Sequence, residues 1–158
     1  MSQSQPQSQI SLDQLELGVL LDGDLRLVLN FFGPHVKHQV PAYHFKMVQA
    51  ESREEMGNIN LRLGWNENLV MYSGHIGYGV NERFRGRGYA TRSVKMLMPL
   101  ARRHGFAELW ITCNPDNPAS RKSCEHAGAR LVDIVAAPPE SRWYALGVRQ
   151  KCRYRLEL

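Results

Sequence analysis

The stretch that most limits what this chain can become is Arg83-Phe84-Arg85-Gly86-Arg87-Gly88-Tyr89-Ala90-Thr91. It follows a short strand-like run at 75–80 (HIGYGV) and opens a helical one. Ala90, Val94, Leu97, Met98 and Ala101 recur at offsets 0, 4, 7, 8 and 11. A glycine-bearing turn between strand and helix lets backbone approach a ligand closely. It also gathers amide N–H groups at the positive end of the helix dipole. Such a turn suits a phosphate. Charge agrees: residues 81–105 hold seven Lys and Arg against one acid, Glu82, a local +6 in a chain of net charge +5. The competing reading is a plain turn before a solvated basic helix face, and a short glycine motif alone does not separate the two. Two relatives of the motif fit less well. No Gly-Lys-Ser/Thr follows at P-loop spacing, and a dinucleotide fingerprint would have Thr91 in its last place with no βαβ half upstream.

A chain of 158 residues, 43% hydrophobic and 22% charged, reads as one globular domain able to bury a core without disulfides. Residues 1–9, rich in Ser and Gln, are expected to be a mobile tail, leaving a single domain at 10–158. Cys113, Cys124 and Cys152 are too few for a disulfide framework, and the histidines show no metal-ligand spacing, so no metal is expected. No apolar run of about 18 residues exists and the first residues lack the pattern of a signal peptide. A cytoplasmic, membrane-free setting is the expectation. Strands are predicted at 25–29, 42–49, 58–63, 75–80, 108–113, 131–135 and 152–158, with a turn at Phe32-Gly33-Pro34. Asn117-Pro118 supplies an N-cap and first-turn proline for a second helix that Gly128 closes. Pro99, inside the first helical stripe, predicts a kink or an early break. The fold class is α+β.

At this point the sequence resembles the GNAT acetyltransferases. Their pyrophosphate loop reads Gln/Arg-x-x-Gly-x-Gly/Ala, and Arg83 to Gly88 matches each fixed place. The preceding IGYGV strand, the helix opening Gly-Tyr-Ala-Thr, and Asn117-Pro118-Ala119-Ser120 followed by Gly128 extend the likeness over residues 56–132. The branch it is most similar to includes the ribosomal-protein N-terminal acetyltransferases. The resemblance implies a mostly antiparallel sheet splayed between two parallel strands, at 75–80 and 108–113, flanked by helices.

It also implies acetyl-CoA as donor and direct acetyl transfer to a primary amine of a small molecule, a protein N-terminus or a lysine. By the same resemblance Tyr78, Gly79 and Val80 pair with the pantetheine arm. Arg85, Gly86, Arg87, Gly88, Tyr89 and Ala90 offer amides to the pyrophosphate, and Thr91 adds a hydroxyl. Backbone N–H groups at a bulge near Gly79 and Val80 would stabilise the oxyanion. Asn117 and Ser120 match positions that contact the cofactor, although Asn117 is equally an N-cap and Ser120 can serve the same helix start. Many members place a Tyr on this helix to protonate the departing thiolate. Here the pattern puts Cys124 in that place, either a weak acid or a small buried hydrophobe. His75 is the best candidate base, against a structural histidine at a strand end. Trp65 can wall the acceptor groove or simply pack.

Two other function classes stay open. One is a non-catalytic acyl-CoA sensor, which Cys124 in the acid position makes thinkable. The other is a basic nucleic-acid-binding module, kept alive by Arg149-Gln150-Lys151-Cys152-Arg153-Tyr154-Arg155 but thin in interleaved aromatics. A homodimer is compatible with the chain.

Overall fold

The computed structural model describes residues 17–35 and 39–158, so the segment read as an N-terminal tail lies outside the described residues. Where a turn allows it, consecutive strands pair. β1 (Leu21–Asp22), β2 (Leu25–Pro34), β3 (Pro41–Gln49), β4 (Glu55–Arg62) and β5 (Ile76–Val80) form an antiparallel sheet in that order. A second sheet has the order β6-β8-β7, from β6 (Glu108–Cys113), β7 (Arg130–Ala136) and β8 (Gln150–Glu157). α1 (Tyr89–Arg103) follows β5, α2 (Pro118–His126) follows β6, and a short α3 (Arg142–Ala145) interrupts the β7–β8 connection. None of these helices is long and apolar enough to cross a membrane.

Period-two burial builds the first sheet. Tyr43, Phe45 and Met47 of β3 point inward while His44 and Lys46 do not, and β4 sends Ile59 and Leu61 to the same core. The α1 stripe of Ala90, Val94, Leu97 and Ala101 covers this layer. Each large apolar side chain removed from water contributes about 1.5–3 kcal/mol. The Tyr43 hydroxyl meets His104 Nε2 at 2.6 Å and ties the end of α1 to the sheet.

Three sequence expectations change. α1 runs through Pro99 to Arg103, because the ring sits on the exposed side of the helix. Phe32-Gly33-Pro34 is not a turn: it continues β2 to a partner, Pro34 opposite Pro41. The β4–β5 register runs unbroken from Gly57 opposite Val80 to Leu61 opposite Ile76, so no bulge lies near Gly79. Gly77 instead makes room for a side chain, since a Cβ there would stand 2.4 Å from Arg62 Nη2.

β5 and β6 are the facing edges of the two sheets and share no ladder. One residue joins them. His75 donates its backbone N–H to the Trp110 carbonyl at 2.6 Å, and its ring Nδ1 accepts the Trp110 N–H at 2.9 Å. Nε2 lies 2.9 Å from the Gly64 carbonyl. A backbone N–H can only donate, so Nδ1 is the acceptor and Nε2 carries the proton. The ring is fully buried, edge-on to Trp65 and Phe106. Burial pulls its pKa from 6.5 down to about 4.

The folded state therefore holds His75 neutral, while the unfolded chain takes up a proton below pH 6.5. Stability is fully present above that value and is lost as pH falls toward 4, by at most roughly 3 kcal/mol. Melting temperatures recorded across this window should fall in the wild type, and His75→Gln, less stable at neutral pH, should flatten the fall. An equally steep decline in the variant would remove His75 as its cause.

Candidate active site

Beyond His75 the two edges diverge around a cavity of about 360 Å³. Ile76, Gly77 and Tyr78 of β5 line one side and Thr112, Cys113 and Asn114 the other. The phase of the β4–β5 ladder decides which backbone groups face this gap. Arg62 N–H reaches the His75 carbonyl at 2.7 Å and Asn81 N–H the Met56 carbonyl at 2.8 Å. In an antiparallel pair the bonded positions alternate. Gly77 and Gly79 thus turn their polar groups to β4, whereas Tyr78 and Val80 present theirs to the free edge. Gly79, expected to pair with the cofactor, turns its polar groups away from that edge. The Val80 carbonyl already accepts Arg85 Nε at 2.9 Å.

The glycine loop carries the edge onward to α1. Gly86 and Gly88 adopt φ of 78° and 77°, and a Cβ built on either would meet nothing within 4 Å. The first α1 hydrogen bond runs from Arg92 N–H to Gly88 O at 3.0 Å, so the amides of Tyr89, Ala90 and Thr91 precede the ladder and lack helical partners. Arg85 differs from expectation, because its amide is spent in a turn to Glu82 O at 3.2 Å. Thr91 differs too: its hydroxyl donates to the Ser123 carbonyl at 3.1 Å and links α1 to α2. Arg87 leans over the Phe84 ring, while Tyr89 gives its hydroxyl to Asp24 at 2.5 Å.

Two of the seven local cations are paired with acids. Arg92 pairs with Asp22 and Asp24, and Arg83 with Glu54. Strand alternation puts Lys151, Arg153 and Arg155 of the basic run at 149–155 on one face of β8, where two of the three are paired with acids. Arg153 is buried over Trp110 and paired with Asp133, whereas Arg155 pairs with Glu108 and Glu157.

On α2, Asn117 is an N-cap in fact: its Oδ1 accepts the Ser120 N–H at 3.1 Å. Asn117 and Ser120 both line the cavity. Tyr78 reaches across from β5, its hydroxyl 2.8 Å from Ser120 Oγ and 4.0 Å from Cys124 Sγ. Cys124 is only 1% exposed and does not line the cavity. Its proton is engaged by the Cys113 sulfur, and burial pushes the thiol pKa further up. A thiol so placed fills space. His75 is likewise no base: both ring nitrogens are taken by backbone groups and leave no lone pair for an incoming amine. Trp65, 53% exposed, stacks on Phe106 at 5.2 Å, away from the cavity; Tyr72 and Trp143 wall it instead. Trp143 arrives on α3, which sequence periodicity missed. The available signal was Ser141, whose side chain caps that helix by accepting the Tyr144 N–H.

A family model for the acetyltransferase (GNAT) domain matches residues 27–130. The chain belongs to the GNAT acetyltransferase family. A search of curated proteins returns no match to it. Among solved structures, a GNAT-family acetyltransferase from Bacillus anthracis is 16% identical, with a TM-score of 0.58 over 72% of this chain and 65% of its own. The microcin C7 self-immunity acetyltransferase MccE, solved with acetyl-CoA and AMP, is 19% identical, with a TM-score of 0.58 over 74% of this chain and 61% of its own. The ribosomal-protein-S5-alanine acetyltransferase from Vibrio fischeri is 16% identical, with a TM-score of 0.59 over 73% and 61%. This chain thus spans less than two thirds of each of these three proteins. The likeness is one of fold, and the splay between β5 and β6 is the GNAT arrangement.

That splay depends on close packing behind β5. A Cβ on Gly57 would stand 2.2 Å from the Gly79 carbonyl oxygen, a backbone atom with no freedom to move aside. Gly57→Ala should therefore cost several kcal/mol by denaturant unfolding. Gly86→Ala, with open space around it, should cost only its left-handed strain of about 1–2 kcal/mol. Equal costs would mean that β4 and β5 are not held at this distance.

Proposed function

We propose that this GNAT domain is an acetyl-CoA-dependent N-acetyltransferase that passes the acetyl group directly to a primary amine. The observation that carries the reading is continuity. The unpaired edge at Tyr78 and Val80 leads directly to the loop whose Gly86 and Gly88 leave room for a group and whose following amides have no helical partners. The residues fit the cofactor. Amides from Gly86 to Thr91 would hold the pyrophosphate at a helix N-terminus, and the backbone of Tyr78, with the Val80 N–H, would take the amide-bearing arm as an added strand is taken. Asn117 and Ser120, already fixed to one another, border the same path.

Acetyl-CoA, when bound, supplies an acyl group on a sulfur that leaves as a thiolate. The chain supplies position and protons. Tyr78 brings a hydroxyl to the site from β5, where many relatives bring one from the position of Cys124. Burial raises the Tyr78 pKa, so the phenol stays protonated and able to donate, and Ser120 Oγ at 2.8 Å orients it. Among the described residues no Asp, Glu or His lines the cavity, and the reaction is read without a dedicated base for the amine. The acceptor is used as the neutral amine, and alignment with the thioester provides most of the acceleration.

Saturating acetyl-CoA should raise the melting temperature, a linkage of about 2.7 kcal/mol at a hundredfold excess over the dissociation constant. Gly86→Asp and Gly88→Asp should abolish that rise through repulsion of the pyrophosphate, while Arg102→Ala, near the far end of α1, should leave it intact. A folded wild type with no thermal response would overturn the proposal. Thiol release with an amine acceptor then tests the proton donor. Tyr78→Phe should lower turnover roughly 10²-fold with acetyl-CoA affinity retained, and Cys124→Ala should stay within a few-fold. The reverse order would return the acid role to the cysteine.

A further inference from the structure

The cavity has two sides. Strand alternation puts Cys113 and Cys152, opposite one another in the β6–β8 ladder, toward α2. It puts Thr112, Arg153 and Lys151 on the other face, where the Thr112 hydroxyl holds the Tyr72 carbonyl at 2.7 Å. That second face is away from α2 and its Tyr78–Ser120 pair, so it is the side from which an acceptor approaches.

Its chemistry is lopsided. Arg142 and Lys151 both line the cavity and no carboxylate does. Lys151 is half-buried, yet among the described residues it makes no ion pair or side-chain hydrogen bond. The charged and titratable groups felt by its ammonium are Arg62 and Cys113, and burial together with Arg62 destabilises the charge. Other partly buried cations have partners: Arg92 has Asp22 and Asp24, Arg153 has Asp133, and Arg62, without a carboxylate, donates to the Ser73 and Gly74 carbonyls. A desolvated cation without a counter-charge is costly unless a ligand provides one. Two polar atoms beside it are also unsatisfied. Asn114 Oδ1 and Ser73 Oγ are buried without partners, and both residues line the same cavity. Trp143 and the 73% exposed Leu146 add an apolar wall at the mouth.

We infer that the acceptor is an anionic amine, a primary amine whose own skeleton carries a carboxylate within a few bonds of the nitrogen. Lys151, with Arg142 at the rim, receives the carboxylate. The same cations repel an ammonium, so the amine is held in the neutral form that attacks, which accounts for a cavity without a base. In the transfer the nitrogen lone pair forms the amide bond, the C–S bond breaks, the sulfur leaves with the electron pair and takes a proton from Tyr78, and the proton that the amine gives up restores the phenol through solvent. Two sources share this chemistry, a free amino acid and a peptide with an acidic first residue. The inference rests on the acetyl-transfer reading.

The test compares acceptors of matched size and different charge. Free glutamate, glutamine and putrescine form one arm. Peptides identical except for Glu, Gln or Lys at the first position form the other. Acetyl-CoA-dependent thiol release should favour the acidic member of at least one arm by roughly 10-fold in kcat/KM over the neutral one, and the arm that responds names the source. Lys151→Gln should erase that preference through KM, with the thermal shift by acetyl-CoA unchanged. Calorimetric binding of the acidic acceptor to the CoA-loaded protein should weaken in parallel, and this readout needs no turnover. Preference for putrescine or the Lys peptide, an acidic-to-neutral ratio unchanged in Lys151→Gln, or no binding of either acidic acceptor would overturn the inference. Acidic acceptors that bind through Lys151 without thiol release would instead count against acetyl transfer and leave the anion site standing.

Discussion

The place where two sheets meet without pairing governs everything else in this molecule. β5 and β6 approach only through His75, whose backbone and ring both engage Trp110 and whose second nitrogen reaches Gly64. A neutral, fully buried imidazole is well suited to this task. It offers one donor and one acceptor to two backbone groups that would otherwise be buried without partners. From that pin the edges separate, and because each edge is the last strand of its sheet, each has backbone groups left for a ligand. A continuous ladder would have closed the cleft.

The second constraint is the phase of the β4–β5 ladder. Because the pair His75–Arg62 and the pair Asn81–Met56 are bonded, alternation leaves Tyr78 and Val80 facing outward. Shifting the register by one residue would aim Gly77 and Gly79 at the cleft and turn the Tyr78 side chain to the other face, away from Ser120. The tight approach at Gly57 resists such a slip. Backbone recognition and the placement of the Tyr78 hydroxyl thus share one cause, and this explains how α2 can carry a buried cysteine without emptying the site of hydroxyl groups.

Local features were readable in the chain. The glycine loop, the Asn117-Pro118 helix start and the period-two pattern of 42–49 rest on residues close in sequence, and each stands where local physics puts it. Pro99 and Phe32-Gly33-Pro34 misled because a local preference was outweighed. A proline on the exposed face of α1 leaves packing of the buried stripe intact, and β2 gains pairing with β3 by extending through its glycine. α3 is too short to show a period. His75 was recognisable as a special residue, but its job depends on Trp110 and Gly64, which are brought to it by different elements.

What the amino-acid order carried by itself is the likeness to the family and the glycine loop that opens α1, since that glycine spacing and helix start lie within nine consecutive residues. Tertiary structure alone decided which groups meet in the cleft. Tyr78 and Ser120 lie 42 positions apart, and Lys151 shares a cavity with Ser73 and Asn114. Hydrogen bonds and charges act over a few ångströms of space. Position along the chain carries no information about such distances until the sheets are paired and splayed.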